Sequence, residues 1–132
     1  MAQIDTLSLV VAIVQLVAAA GIVGFWMTAG RARFDEPWRP PGFALHERSF
    51  TAPDTVAAAL MSASAVLVLK GHPLGRSLGL FAAGMLAFLA IIDAVYMRQN
   101  DLFRREHDGL MHAAIVTSVF AVVALMMTAY LR

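Results

Sequence analysis

An acid inside an apolar run is the first chemistry the sequence offers. Asp93 lies in SLGLFAAGMLAFLAIIDAVYM, about five residues from the charged end of that run and roughly 7–8 Å from Arg98 along a helix axis. His112 stands four residues past Asp108 in the next apolar run, so two antiparallel helices would carry imidazole and carboxylate to similar depth. Tyr96, at i+3 from Asp93, offers a hydroxyl on a neighbouring face, and Gln15 is a further polar group inside an apolar run. A carboxylate at the centre of a bilayer costs about 2.5–3.5 kcal/mol, so Asp93 should be paired, hydrated or protonated. Two readings follow for Asp93, His112, Tyr96 and Gln15. One is a proton relay or ligand pocket, with Asp93 as acceptor and His112 as a switchable partner. The other is an interhelical lock that sets register and contributes about 0.6–2 kcal/mol. Nearness to the interface favours the lock, and a local contact with Asp108 would use up the His112 ring.

A second candidate site lies in the most polar stretch, which holds Phe34-Asp35-Glu36 and His46-Glu47-Arg48. His46 with Glu47 or Asp54 could form an acid–base pair at a membrane surface, although solvated loop charges are the commoner use of such residues. No chemistry-specific motif accompanies them: the chain has no phosphate-binding glycine loop, no serine elbow and no His-Glu-x-x-His, so no residue is assigned as catalytic. No cofactor and no metal are expected either. His46, His72 and His107 read as loop residues, and no two histidines stand at i, i+3 or i+4. The absence of cysteine removes thiolate ligands and thiol redox chemistry, while the eight methionines are dispersed like packing residues.

The elements that must position these groups are apolar helices. The chain is 60% hydrophobic and 14% charged, against about 45–50% and about 25% in soluble domains, with a mean hydropathy of +0.72. Its charges crowd into a few short stretches, which leaves helices apolar on every side. Four runs, residues 6–29, 55–69, 77–97 and 109–131, predict an all-α membrane protein: an antiparallel up-and-down bundle of four transmembrane helices forming one domain over 1–132. The first run holds 24 residues without a charge, too long for the apolar part of a cleaved signal and without a basic segment before it. The second is short for a span, with Pro53 and Asp54 at its start, where Asp54 can cap. Residues 30–54 form a surface loop, in which 43–50 could make a short interfacial helix. KGHPLGR reads as a tight link punctuated by Gly71, Pro73 and Gly75.

Packing in lipid needs small residues and hydrogen bonds, so the small stripes should point inward. These are Ser8, Ala12, Gln15, Ala19 and Ile22; Ala58, Ser62 and Ala65; Gly79, Ala83, Leu86, Ala90, Asp93 and Met97; and Ala113, Thr117, Ala121, Ala124 and Thr128. Tyr130 and Arg132 are expected to anchor the last end at the interface. Loops 30–54 and 98–108 carry seven of the ten basic residues, which predicts a multi-pass protein of the inner (cytoplasmic) membrane with those loops in the cytoplasm and both termini outside. The net charge of +1 and the lack of a basic cluster exclude nucleic acid as a partner.

Phe50-Thr51-Ala52-Pro53-Asp54 opening one run and Asp93-Ala94-Val95-Tyr96 closing the next resemble small uncharacterised bacterial membrane proteins of about this length. That resemblance implies four helices and a bacterial membrane, and it carries no activity to transfer. The expected partners are therefore the lipid bilayer and either a second copy, as a homo-oligomer, or a larger membrane protein. The leading expectation is a binding or accessory module without enzymatic activity. The alternatives are an oligomeric proton-coupled or lipid-handling transporter centred on Asp93 and His112, and a membrane enzyme acting on a lipid-soluble substrate.

Overall fold

Helix ends in this chain are built from local hydrogen bonds that the turn residues make possible. A computed structural model of the protein describes residues 4–29, 34 and 36–132; Arg31, Arg33 and Asp35 lie outside the described residues. Helix α1 (Thr6–Gly24) is capped by Asp5, whose carboxylate accepts from the Ser8 N–H at 3.0 Å and the Ser8 hydroxyl at 2.7 Å. A π-helical turn, Phe25–Ala29, extends it. Helix α2 (Phe43–Ser49) starts from Gly42, whose φ of 80° is open to glycine at little cost.

Helix α3 (Thr51–Leu69) ends in a Schellman arrangement: Gly71 takes φ 68°, and the His72 N–H donates to Leu67 O at 2.8 Å. Helix α4 (Leu74–Gln99) ends in the same way with Asp101 at φ 55° and the Leu102 N–H donating to Met97 O at 2.9 Å. Leu102 and Met97 belong to one buried apolar cluster, as the residues flanking this motif commonly do. Helix α5 (Gly109–Tyr130) follows a short 3₁₀ turn.

The four long helices run up and down. Trp26 at the end of α1 bonds to Asp54 at the start of α3, while Asp5 lies 3.5 Å from Arg132 and 3.9 Å from Arg76. Both termini and the α3–α4 link therefore share one end, and the two longer loops share the other. Helix α1 packs on α3, α3 on α4 and α4 on α5, with a thinner α1–α5 contact closing the ring. All four are long and apolar enough to cross a membrane, and no strand occurs among the described residues.

The small stripes of α1 and α4 are inside as expected: Ser8, Ala12, Gln15 and Ala19 are buried, as are Gly79, Ala83, Leu86, Ala90 and Met97. On α3 the expected Ala58 and Ala65 are buried while Ser62 is half-buried, and the buried face widens to take in Ala57, Met61, Ser64 and Val68. On α5 the expected stripe is overturned, since Ala113, Thr117, Ala121, Ala124 and Thr128 are all exposed and the core takes His112, Met126, Ala129 and Tyr130. A helix apolar on every side carries no pattern to say which face turns inward, and the fit of one large side chain decides it. That side chain is Tyr130, which is 4% exposed and not an interfacial anchor. Its ring fills the space over Gly79, where a Cβ would stand 2.3 Å from Tyr130 Cε2. Its hydroxyl donates to Gln15 Oε1 at 2.5 Å, Gln15 Nε2 donates to Ser64 Oγ at 3.0 Å, and Ser64 Oγ donates to Gly75 O at 2.8 Å. The chain leaves no polar atom of this lock in apolar surroundings without a partner.

Three further expectations are corrected. Helix α3 begins at Thr51 and is 19 residues long, so the second span is not short. Asp54 does not cap it, because its carboxylate is taken by Trp26. Gly75 belongs to the first turn of α4 instead of the link, where it lets α4 approach the α3 backbone.

Gly75→Ala places a methyl group 2.6 Å from Val68 N, backbone that cannot swing aside, and should destabilise the bundle by about 1–3 kcal/mol. Gly84→Ala meets nothing within 4 Å and should leave stability unchanged or raise it. Thermal melts of the two variants in detergent check the contrast. Asp5 yields a pH prediction. The Ser8 hydroxyl, then its N–H, hold the Asp5 carboxyl below its ordinary value of 3.8. A depressed folded value means the stabilisation is full above the ordinary value and is lost as pH falls through the folded one. The melting-temperature gap between wild type and Asp5→Ala should therefore be constant near neutrality and narrow below about pH 4.

Candidate functional site

Phe43, His46, Glu47 and Phe50 stand at i, i+3, i+4 and i+7, one face of a helix, so any force that buries Phe43 turns His46 and Glu47 inward with it. Phe43 is 2% exposed in a small cluster with Phe34, Met97 and Leu102 at the end of the bundle away from the termini. Helix α4 presents Asp93 and Tyr96 to the same place, one turn and one residue before Met97. One donor atom from each of His46, Glu47 and Asp93 can be chosen so that all lie within 4.8 Å of one another. The loop site and the intramembrane site are thus parts of one constellation.

The surroundings hold these groups in place. The His46 ring stacks on Tyr96 with centroids 3.6 Å apart and planes 11° from parallel, and it meets the edge of Phe50 at 5.1 Å. Asp54, in the first turn of α3, accepts from Trp26 Nε1–H at 2.9 Å, and its charge acts on both Glu47 and Asp93. Arg39 is the counter-charge that Glu47 feels. Its side chain is 4% exposed, paired with Glu36 and laid over the rings of Trp38 and Phe43 at 4.5 and 4.3 Å. Trp38 in turn stacks on His107 at 5.0 Å, which ties the first long loop to the second. An open groove bounded by His46, Ser49, Phe50, Pro53, Leu89 and Ile92 runs beside the cluster.

Two atoms stand out. His46 Nε2 and Glu47 Oε1 are buried and have no hydrogen-bond partner. Buried polar atoms are normally satisfied, and these two belong to residues whose donor atoms converge with one of Asp93. Chemically, an imidazole and two carboxylates at this separation can exchange a proton or ligate a cation.

Of the other expected site residues, His112 is 7% exposed one turn into α5 and is not one of the three whose donor atoms converge. Gln15 belongs to the Tyr130–Ser64 lock. Ser64 is ten residues from Asp54 along α3, about 15 Å, so the two polar systems are separate. Trp26 and Arg39 were not expected at the site. Trp26 lies in an apolar run, where indole reads as an anchor, and Arg39 among prolines reads as a solvated charge.

Separate networks should add. The melting-temperature effects of Gln15→Leu and Asp93→Asn should sum in the double variant to within about 0.5 kcal/mol. A larger coupling would show that one network joins them. No family model matches the chain, and no curated protein or solved structure is significantly similar to it, so the site's geometry alone bears on function.

Proposed function

We propose that this chain is a multi-pass protein of the inner membrane that works as a binding module, with His46, Glu47 and Asp93 as the seat for a positively charged ligand at the cytoplasmic end of the bundle. The observation that carries this reading is the convergence of donor atoms from those three side chains, two of which also hold a buried atom without a hydrogen-bond partner. Charge supports it. Glu47, Asp54 and Asp93 crowd together, and Arg39, already paired with Glu36, is a counter-charge for Glu47 alone among them. Excess negative charge at low dielectric is stabilised by a cation or a proton.

Membrane insertion is supported by the outer surface. Val17, Phe81, Phe88 and Leu110 are between 62% and 73% exposed, on helices long enough to span. Such a surface is suited to lipid or to another apolar helix and not to water. The excess of Arg in the two long loops supports placing the site on the cytoplasmic side.

Proton exchange is the second reading, favoured by an imidazole that stacks on Tyr96 and has a nitrogen within 4.8 Å of both acids. A complete transport path within one copy is disfavoured, because Ala12, Ala57, Ala65, Ala82 and Ala83 close the helices on each other with no exposed surface. A larger membrane protein or a second copy would supply the rest of such a path.

A ligand seat and an interhelical lock respond oppositely to neutralisation. Asp93→Asn removes like-charge crowding at nearly constant shape, so the ligand-free protein in mild detergent should melt at a higher temperature than wild type. A lock predicts a fall of about 0.6–2 kcal/mol in stability, and that fall would overturn the reading. Retention of the chain in membranes after alkaline washing checks insertion.

A further inference from the structure

We infer that the ligand of the His46–Glu47–Asp93 seat is a divalent first-row metal ion of the zinc type, held by one imidazole nitrogen and two carboxylate oxygens. This deepens the binding-module reading and rests on it. The donor set is the first argument. Two carboxylates alone would suit calcium or magnesium equally well, but those ions take oxygen ligands, whereas an imidazole nitrogen suits zinc, copper, iron or nickel.

Geometry is the second argument. The three donor atoms lie within 4.8 Å of one another, and donors around a tetrahedral ion with bonds of about 2.0–2.1 Å stand roughly 3.3 Å apart. The contraction required is at most about 1.5 Å, within reach of side-chain rotation at His46, Glu47 and Asp93. His46 Nε2 and Glu47 Oε1 are buried and without hydrogen-bond partners, so neither residue is fully committed to the protein.

The surroundings are the third argument. The Tyr96 face at 3.6 Å and the Phe50 edge at 5.1 Å limit rotation of the His46 ring, which is the support a ligating imidazole needs. Asp54, bonded to Trp26, adds negative charge beside the seat without being one of the three donors. Two ligands come from α2 and one from α4, so a bound ion would clamp the short interfacial helix onto the bundle. Three protein ligands also leave at least one coordination position for water or a phosphate oxygen at the membrane surface.

The test uses the full chain purified in mild detergent without a histidine tag, stripped with chelator and titrated with Zn²⁺, Co²⁺ and Mg²⁺. About one Zn²⁺ or Co²⁺ should bind per chain, with d–d absorption bands for Co²⁺, a rise in melting temperature and no comparable response to Mg²⁺. His46→Ala, Glu47→Gln and Asp93→Asn, each with helical content intact, should weaken binding by at least about tenfold. A wild-type chain that binds neither Zn²⁺ nor Co²⁺, or three variants that bind like wild type, overturns the metal assignment. The broader reading fails separately, through the melting shift of metal-free Asp93→Asn, so the two failures are distinguishable.

Discussion

The structure depends on helices whose backbones come close enough to touch. The outward faces of these helices are apolar like the inward ones, so apolar surface alone does not choose the packing face, and close contact between small residues and hydrogen bonds does. Gly75 against Val68 N and Gly79 against the Tyr130 ring are the tightest expressions of this, with the alanines of α1, α3 and α4 continuing it. That close approach also carries Ser64 to within reach of Gln15 and of the Gly75 carbonyl. The hydrogen-bonded lock is a consequence of small residues, and it would not close if they were larger.

Polar groups are divided into two systems with opposite character. At the lock, Gln15, Ser64 and Tyr130 satisfy one another in a chain of directed donors, which fixes register and leaves nothing for a ligand. At the other end, His46 and Glu47 retain buried atoms without partners among like charges. Buried polar atoms are normally satisfied, so this end of the bundle departs from the pattern that the lock follows.

The aromatic and cationic residues around the second system share one task. Trp38 on His107, Arg39 on Phe43 and Trp38, and Phe43 beside Tyr96 join the two long loops to the helix ends. The two loop segments gain an ordered arrangement by stacking. The short helix α2 could not hold its position by propensity alone, being 7 residues long, and Phe43 supplies the anchor.

Four apolar runs separated by charged or glycine-containing links, and the inward faces of α1 and α4, were legible in the residues themselves. Helix periodicity and residue size act over neighbours within one element, so small residues at 3–4 spacing mark the face that a neighbouring backbone can approach. The inward face of α5 was not legible, since a helix apolar all round has no contrast to read, and the slot over Gly79 chose Tyr130. Nor was the joining of two candidate sites into one. His46 and Glu47 are 47 and 46 residues from Asp93 in the chain, and the packing of α2 on α3 and of α3 on α4, with Phe43 clustered with Met97 and Leu102, brings them together. Composition and local period determined the elements and their apolar surfaces; long-range packing, which no local pattern encodes, decided which polar side chains meet.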